Sequence, residues 1–88
     1  MPKIKSSPRF IKAYVKLSTA LREKVDKAIL LLQENPRHPS LQTKPIQGFK
    51  GVYEARVDIN CRLTYERLPD DLLLIRVVAT HDDALKNP

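Results

Sequence analysis

The sequence predicts an α+β domain in which a helical hairpin packs on a small antiparallel sheet, in the order β-α-α-β-β-β. Three observations carry that prediction. Apolar residues recur at helical spacing between Phe10 and Leu32, apolar and polar residues alternate between Val52 and Ala79, and a proline-rich stretch separates the two patterns. A helical period buries one stripe of a helix and a period of two buries one face of a strand, so each half of the chain needs the other to cover it. The 88 residues suffice for one such domain, residues 1–88, with no room for a second core.

In chain order, Lys3–Ser6 can add a short edge strand. Pro8 suits the first turn of a helix, where its missing N–H is not needed, and Phe10, Ile11, Tyr14, Val15 and Leu17 follow at helical spacing. Ser18 or Thr19 can cap a second helix. Its apolar positions Leu21, Val25, Ala28, Ile29 and Leu32 fall on one side, with Arg22, Glu23, Lys24, Asp26 and Lys27 turned outward. This helix stops near Asn35-Pro36, because a residue preceding proline is pushed out of the α region. Three prolines and two glycines then forbid regular structure over most of PRHPSLQTKPIQGFKG. Leu41, Ile46 and Phe49 can pin this loop to the domain, and Arg37, His38, Lys44 and Lys50 make it a candidate binding rim.

Strands are expected at 52–57, 61–67 and 72–79, each rich in β-branched, aromatic or aliphatic residues. A two-residue hairpin loop would set Val57 beside Arg62, whereas the three-residue loop Asp58-Ile59-Asn60 pairs Arg56 with Arg62 and keeps both faces consistent. Such a loop commonly ends at positive φ, which Asn60 tolerates. The same parity at Leu68-Pro69-Asp70-Asp71 sends Leu73, Ile75, Val77 and Ala79 to the apolar face. Arg56, Arg62 and Arg76 then share the polar face, together with Leu72, Leu74 and Val78. Like charges on neighbouring strands ask for an anion, or for local acids such as Glu54 and Glu66. The apolar residues among them predict a cover, either the chain's own tail or a partner.

Composition narrows the chemistry. A single cysteine, Cys61, excludes an internal disulfide, and its place on the apolar face predicts a buried small hydrophobe, which fits a reducing cytoplasm. No apolar run has the length of a signal peptide or of a membrane span, so a soluble protein without membrane contact is expected. The net charge of +6 is uneven: residues 1–51 hold eleven Lys/Arg against three acids, residues 52–88 five against seven. That field suits a polyanion or an acidic protein. One Cys and two His fall short of a zinc set, phosphate-cradling glycine motifs are absent, and no serine has a nucleophile-elbow context, so no metal or cofactor is expected. What remains is arginines and His81, at the end of the last strand. In metal-free RNA cleavage the ribose 2′-hydroxyl is the nucleophile, and the protein has to neutralise a phosphorane and move two protons. Arg offers a planar fork for phosphate oxygens and His titrates near working pH. A histidine beside an aspartate, as in His81-Asp82, is also a common capping or surface arrangement.

The order helix, helix, loop and three-stranded meander, with NPRHPSL, KPIQGFKG, VYEARV, CRLTYE and the terminal ATHDDALKNP, resembles the RelE/ParE superfamily of toxin–antitoxin toxins over nearly the whole chain. The resemblance implies a RelE-like fold. For the RelE and YafQ types it implies a ribosome-dependent endonuclease acting on mRNA and held inactive by an antitoxin. By similarity Arg62 matches an arginine used by the RelE type, Arg56 matches a lysine there, and His81 in ATHDD looks like the catalytic histidine of the YafQ type. The chain departs from both patterns: Lys44 and Arg56 stand where the YafQ type has histidines, Asn60 where it has an aspartate, Glu54 where the RelE type has a second lysine, and the C-terminal tyrosine of the RelE type has no counterpart.

The resulting expectation is a phosphate clamp of Arg56 and Arg62, proton transfer by His81, and RNA contacts from Lys44, Lys50 and Arg76. Leu72, Leu74 and Val78 would take an acidic, amphipathic antitoxin segment. Two alternatives stay open: a ParE-like protein that poisons gyrase without nuclease chemistry, and a member that only binds its antitoxin.

Overall fold

The computed structural model describes the backbone of residues 1–88 and every side chain except those of His81 and Asp82. Strand β1 (Lys3–Ser6) leads through Ser7 into helix α1 (Pro8–Tyr14), and Ser18 opens helix α2 (Thr19–Glu34). A 3-10 turn at Pro39–Leu41 and a two-residue strand β2 (Lys44–Pro45) interrupt the loop. Strands β3 (Val52–Arg56), β4 (Cys61–Leu68) and β5 (Leu72–Thr80) follow, then helix α3 (His81–Lys86). No helix is long and apolar enough to cross a membrane.

The five strands lie in the order β1-β5-β4-β3-β2. β1 runs parallel to β5 and the other pairs are antiparallel, so the sheet is mixed rather than wholly antiparallel. The parallel pair joins the two ends of the chain, and the helical hairpin and three strands between them serve as the long connection such a pair requires. Both predicted helix starts hold: Pro8 lies in the first turn of α1 and the Ser18 hydroxyl accepts from Leu21 N at 3.2 Å, while the structure adds a cap on α1, the Ser7 hydroxyl accepting from Phe10 N at 3.0 Å. The Tyr14 hydroxyl donates to Asp26 at 2.7 Å and ties α1 to α2, and this bond to a carboxylate raises the phenol's pKa.

One face of the sheet is sealed by the helices. Phe10, Val25, Ala28 and Leu32 meet Ala55, Cys61, Leu63, Tyr65, Leu73 and Ile75 in a single core. The β3–β4 register is the expected one, with Arg56 opposite Arg62. The loop between them is not held by a left-handed Asn60. Instead Asp58 Oδ1 accepts from Asn60 N at 2.9 Å, and positive φ occurs at Asp70 and Asp71 in the next turn.

The β4–β5 pairing departs from expectation halfway along. Thr64 faces Val77 but Tyr65 faces Ile75, so Arg76 is an extra residue in β5. A bulge of one residue exchanges the faces of everything beyond it. Leu73 and Ile75 face the helices as predicted. Val78, expected on the polar face, enters the core at 3% exposure, while Val77 and Ala79 move to the opposite face beside Thr64 and Arg62. The bulge is satisfied from outside the ladder: the Arg76 carbonyl accepts a 2.7 Å bond from the Ser7 hydroxyl, the same side chain that caps α1.

The cover over the second face is the chain's own tail. Thr80 caps α3 by accepting from Asp83 N at 3.3 Å, α3 packs on β4 and β5, and Ala84 is fully buried. Arg76 Nε donates to the Pro88 carbonyl at 3.1 Å, and Arg9 donates to that of Asn87.

Candidate functional site

The face of the sheet away from α1 and α2 carries three cross-strand rows of side chains. Arg56, Arg62 and Ala79 form the row nearest the β3–β4 turn. Residues directly opposite on antiparallel strands hold their side chains about 5 Å apart at Cβ. Like charges set directly opposite in this way destabilise a sheet. Among the described residues no carboxylate lies within ion-pair distance of either, since Asp58 pairs with Lys24 at 3.6 Å and Glu54 with Lys44 at 3.4 Å. Arg62 is fixed by its own backbone: Nη1 donates to the Asp58 carbonyl at 2.6 Å and to that of Cys61 at 3.1 Å. A guanidinium has five donors, so this anchorage leaves Nε and Nη2 for an external anion. Arg56 is half-buried and makes no hydrogen bond among the described residues.

The middle row is Lys44, Glu54, Thr64 and Val77. Glu54 is only 2% exposed, and its Oε1 faces the ammonium of Lys44, whose side chain is 63% exposed. Among the described residues, Glu54 Oε2 and Thr64 Oγ1 are buried without a hydrogen-bond partner. Burying such atoms costs free energy with no local return. The sequence offered Glu54 as a counter-charge for the arginines, and the register gives it to Lys44 instead. Its burial was not readable from an alternation that places it on the polar face, and helix α3, which packs on β4 and β5, was not foreseen within the covering tail. Thr80 as a cap, Asp82 and Asp83 shortly after it and Lys86 six residues on were the available signal for that helix.

The third row is Val52, Glu66 and Leu74, with Arg76 Nη1 donating to Glu66 Oε1 at 2.6 Å. Arg76 shares the face of the other two arginines as expected, but its side chain is occupied by Glu66 and the Pro88 carbonyl and serves as a latch for the tail. Lys50 is exposed at the tip of the β2–β3 turn, between Gly48 and Gly51, which both have positive φ. Leu72 and Leu74 lie half-buried toward the β1 edge, opposite Lys3 and Lys5. The side chain of His81 lies outside the described residues.

Cys61 behaves as the sequence implied. It is buried, and desolvation, helped by Asp58, pushes its thiol up to about 11 against the opposing effect of Arg62. A thiol so hard to ionise is not a nucleophile at neutral pH. The site therefore consists of an opposed pair of arginines beside a buried carboxylate and hydroxyl. That arrangement can bind and polarise a phosphate.

No family model matches the chain, and comparison with curated proteins gives no match. Solved structures do match. The structure of YafQ from E. coli aligns with 28% sequence identity and a TM-score of 0.73, covering 94% of this chain and 97% of that one. The toxin–antitoxin complex RelBE of E. coli aligns at 20% identity and a TM-score of 0.74, covering 91% of this chain and 96% of the matched chain. A YoeB/ParE toxin from Agrobacterium tumefaciens aligns at 17% identity and a TM-score of 0.78, covering 90% and 98%. The last two carry the fold, and YafQ adds similarity of sequence over nearly the full length of both chains. With a helical hairpin followed by the β3–β4–β5 meander in place and these toxins matching it end to end, the chain has the fold of the RelE/ParE toxins and resembles YafQ in sequence as well.

Proposed function

We propose that this chain is the toxin of a type II toxin–antitoxin system and cleaves mRNA on the ribosome without a metal. The observation that carries the reading is the opposition of Arg56 and Arg62 on a strand pair whose two glutamates are taken by Lys44 and Arg76, with no described carboxylate within ion-pair distance of either arginine. In this reading the scissile phosphate supplies the missing negative charge. Arg62, held by two carbonyls, presents its free edge to a phosphate oxygen, and Arg56 closes the other side. The clamp matters most when charge builds up on the phosphorane, so its donors act on the rate rather than on binding alone. His81 moves a proton to or from the reacting oxygens, and its replacement by Ala would slow cleavage by about 10²–10⁴-fold. Lys44 and Lys50, exposed along one edge, draw the RNA in.

The partner is an antitoxin, as in the DinJ–YafQ and RelBE complexes that share this fold. An acidic amphipathic segment fits the basic helical half of the chain and reaches Leu72 and Leu74. Val78 drops out of that contact because it is in the core.

The deciding experiment is primer extension on mRNA programmed into ribosomes, beside naked mRNA. Cuts at defined positions on ribosomes alone are expected. Absence of cleavage in both samples, with gyrase supercoiling impaired in a parallel reaction, would replace this reading with a ParE-like one.

A further inference from the structure

A second cleft opens on the other side of the sheet, between the C-terminal end of α2 and the β2 edge, with a volume of about 510 Å³. Its floor is aromatic. Tyr65, 2% exposed, stacks on Tyr53 with ring centroids 5.5 Å apart and planes inclined by 19°. The Arg67 guanidinium lies 5.8 Å from the Tyr53 centroid and is exposed to solvent. Tyr65, Tyr53 and Arg67 thus form a column that is closed at one end and open at the other.

The walls are cationic. Arg37 comes from the loop after α2, where the Asn35 side chain fixes its backbone N–H at 3.1 Å, and Lys44 comes from the edge strand. No acidic residue lines the cleft, and among the described residues neither the Arg37 nor the Arg67 side chain has an ion-pair partner. Core packing accounts for Tyr65, but not for two unpaired guanidiniums gathered over a tyrosine stack. A cleft of this size falls within the range of small-ligand sites.

We propose that this cleft is a nucleotide subsite, in which a base of single-stranded RNA adds a layer to the Tyr65–Tyr53–Arg67 column while Arg37 holds the adjoining phosphate. A guanidinium plane and an aromatic face both accept a stacked base with little regard to its identity. The flanking positive charge supplies the sequence-independent share of affinity. The subsite extends the RNA reading of the opposite face and rests on it for its biological ligand. It lies on the other side of the β2–β3 edge from the arginine pair, and β2, at two residues, leaves that edge short enough for a strand to round. A base held here would set which nucleotide reaches the clamp without taking part in the chemistry.

The test is direct binding of the intact protein, so that it does not depend on cleavage. Fluorescence anisotropy would be read with labelled hexaadenylate RNA, with an abasic oligomer of the same length, and with adenosine monophosphate as competitor. The parent should bind hexaadenylate about tenfold or more tightly than the abasic chain. Arg67→Ala and Tyr53→Leu should remove that preference, and Arg37→Ala should weaken both probes alike. Arg62→Ala should leave the preference intact, which separates this cleft from the clamp. Arg67 and Arg37 are exposed, so their variants stay informative if the tyrosine variant fails to fold. Displacement by the mononucleotide as effective as by the oligomer would make the ligand a free nucleotide and overturn the RNA assignment. Equal binding of the abasic chain, an unchanged preference in Arg67→Ala, or stronger binding of an acidic aromatic peptide than of hexaadenylate would overturn the subsite itself.

Discussion

The two faces of the sheet are built on opposite terms. Against α1 and α2, Ala55, Leu63 and Ile75 are wholly buried and make contact only through packing. On the other face the same strands offer Arg56, Arg62, Glu54, Thr64 and Arg76, some paired, some opposed to like charge, and two with buried atoms left unpartnered. A face selected for stability alone would not set arginine against arginine or bury a carboxylate beside an unsatisfied hydroxyl. The contrast teaches that packing is concentrated on one side, while the other carries opposed charges and unpartnered polar atoms.

Two substitutions a single residue apart should separate the faces. Leu63, fully buried, loses several methyl and methylene contacts on replacement by Ala, and unfolding by denaturant should show a loss of about 3–5 kcal/mol. Arg62→Ala removes a half-buried, solvent-reaching guanidinium, and its unfolding midpoint should stay near the parent's. Its single-turnover cleavage on ribosomes should fall by on the order of 10²–10³-fold, as for loss of one preorganised donor to a developing anion. If Arg62→Ala unfolded like Leu63→Ala, its carbonyl contacts would be its purpose, and the face would not be specialised. A parental cleavage rate would remove Arg62 from the clamp.

How far this contrast was legible depends on the turn concerned. The β3–β4 hairpin was readable because one loop length alone kept both alternations in phase, and Arg56 opposite Arg62 followed from counting. The β4–β5 hairpin gave an equally clean alternation and the wrong far half. A bulge leaves no residue signature when its extra position, Arg76, is satisfied by groups distant in sequence: the Ser7 hydroxyl, the Glu66 carboxylate and the Pro88 carbonyl. Helix α3 escaped for a related reason, since its six residues are stabilised by docking on the sheet rather than by length or period. Local chemistry fixed what neighbours in sequence decide. The tail as cover was one of the two options that the apolar residues of that face predicted, but the helix within it and the burial of Glu54 came from contacts that only folding assembles.

A smaller effect tests whether that cover is ill-fitting on purpose. Thr64 is fully buried on the open face, and its hydroxyl has no partner among the described residues. Thr64→Val replaces the orphan oxygen with a methyl group of similar size, so stability should rise by about 1 kcal/mol in the same denaturation experiment. The equivalent change on the helix-covered face has no counterpart, because no described polar side-chain atom is stranded there. A loss of stability in Thr64→Val would mean that the hydroxyl is satisfied by ordered water, and the open face would then be as well resolved as the other.

The finest distinction lies in two serines that do one task alike and a second task differently. Ser7 and Ser18 both cap helices, with acceptor distances of 3.0 and 3.2 Å. Loss of a cap alone costs about 0.5–2 kcal/mol. Ser7 also donates at 2.7 Å to the carbonyl of Arg76, at the bulge that turns Val78 into the core and aims Arg76 at the tail. Ser18→Ala should therefore cost a cap and no more, whereas Ser7→Ala should cost a cap plus the desolvation of a carbonyl left without its partner, a further 1 kcal/mol or so. Hydrogen exchange would locate the difference: Ser18→Ala should loosen the start of α2, and Ser7→Ala should loosen α1 together with the middle of β5 and the tail latched to it. Equal costs with exchange confined to α1 would show that the bulge holds itself. The open face would then owe its arrangement to β4 and β5 alone, not to the helix on the far side.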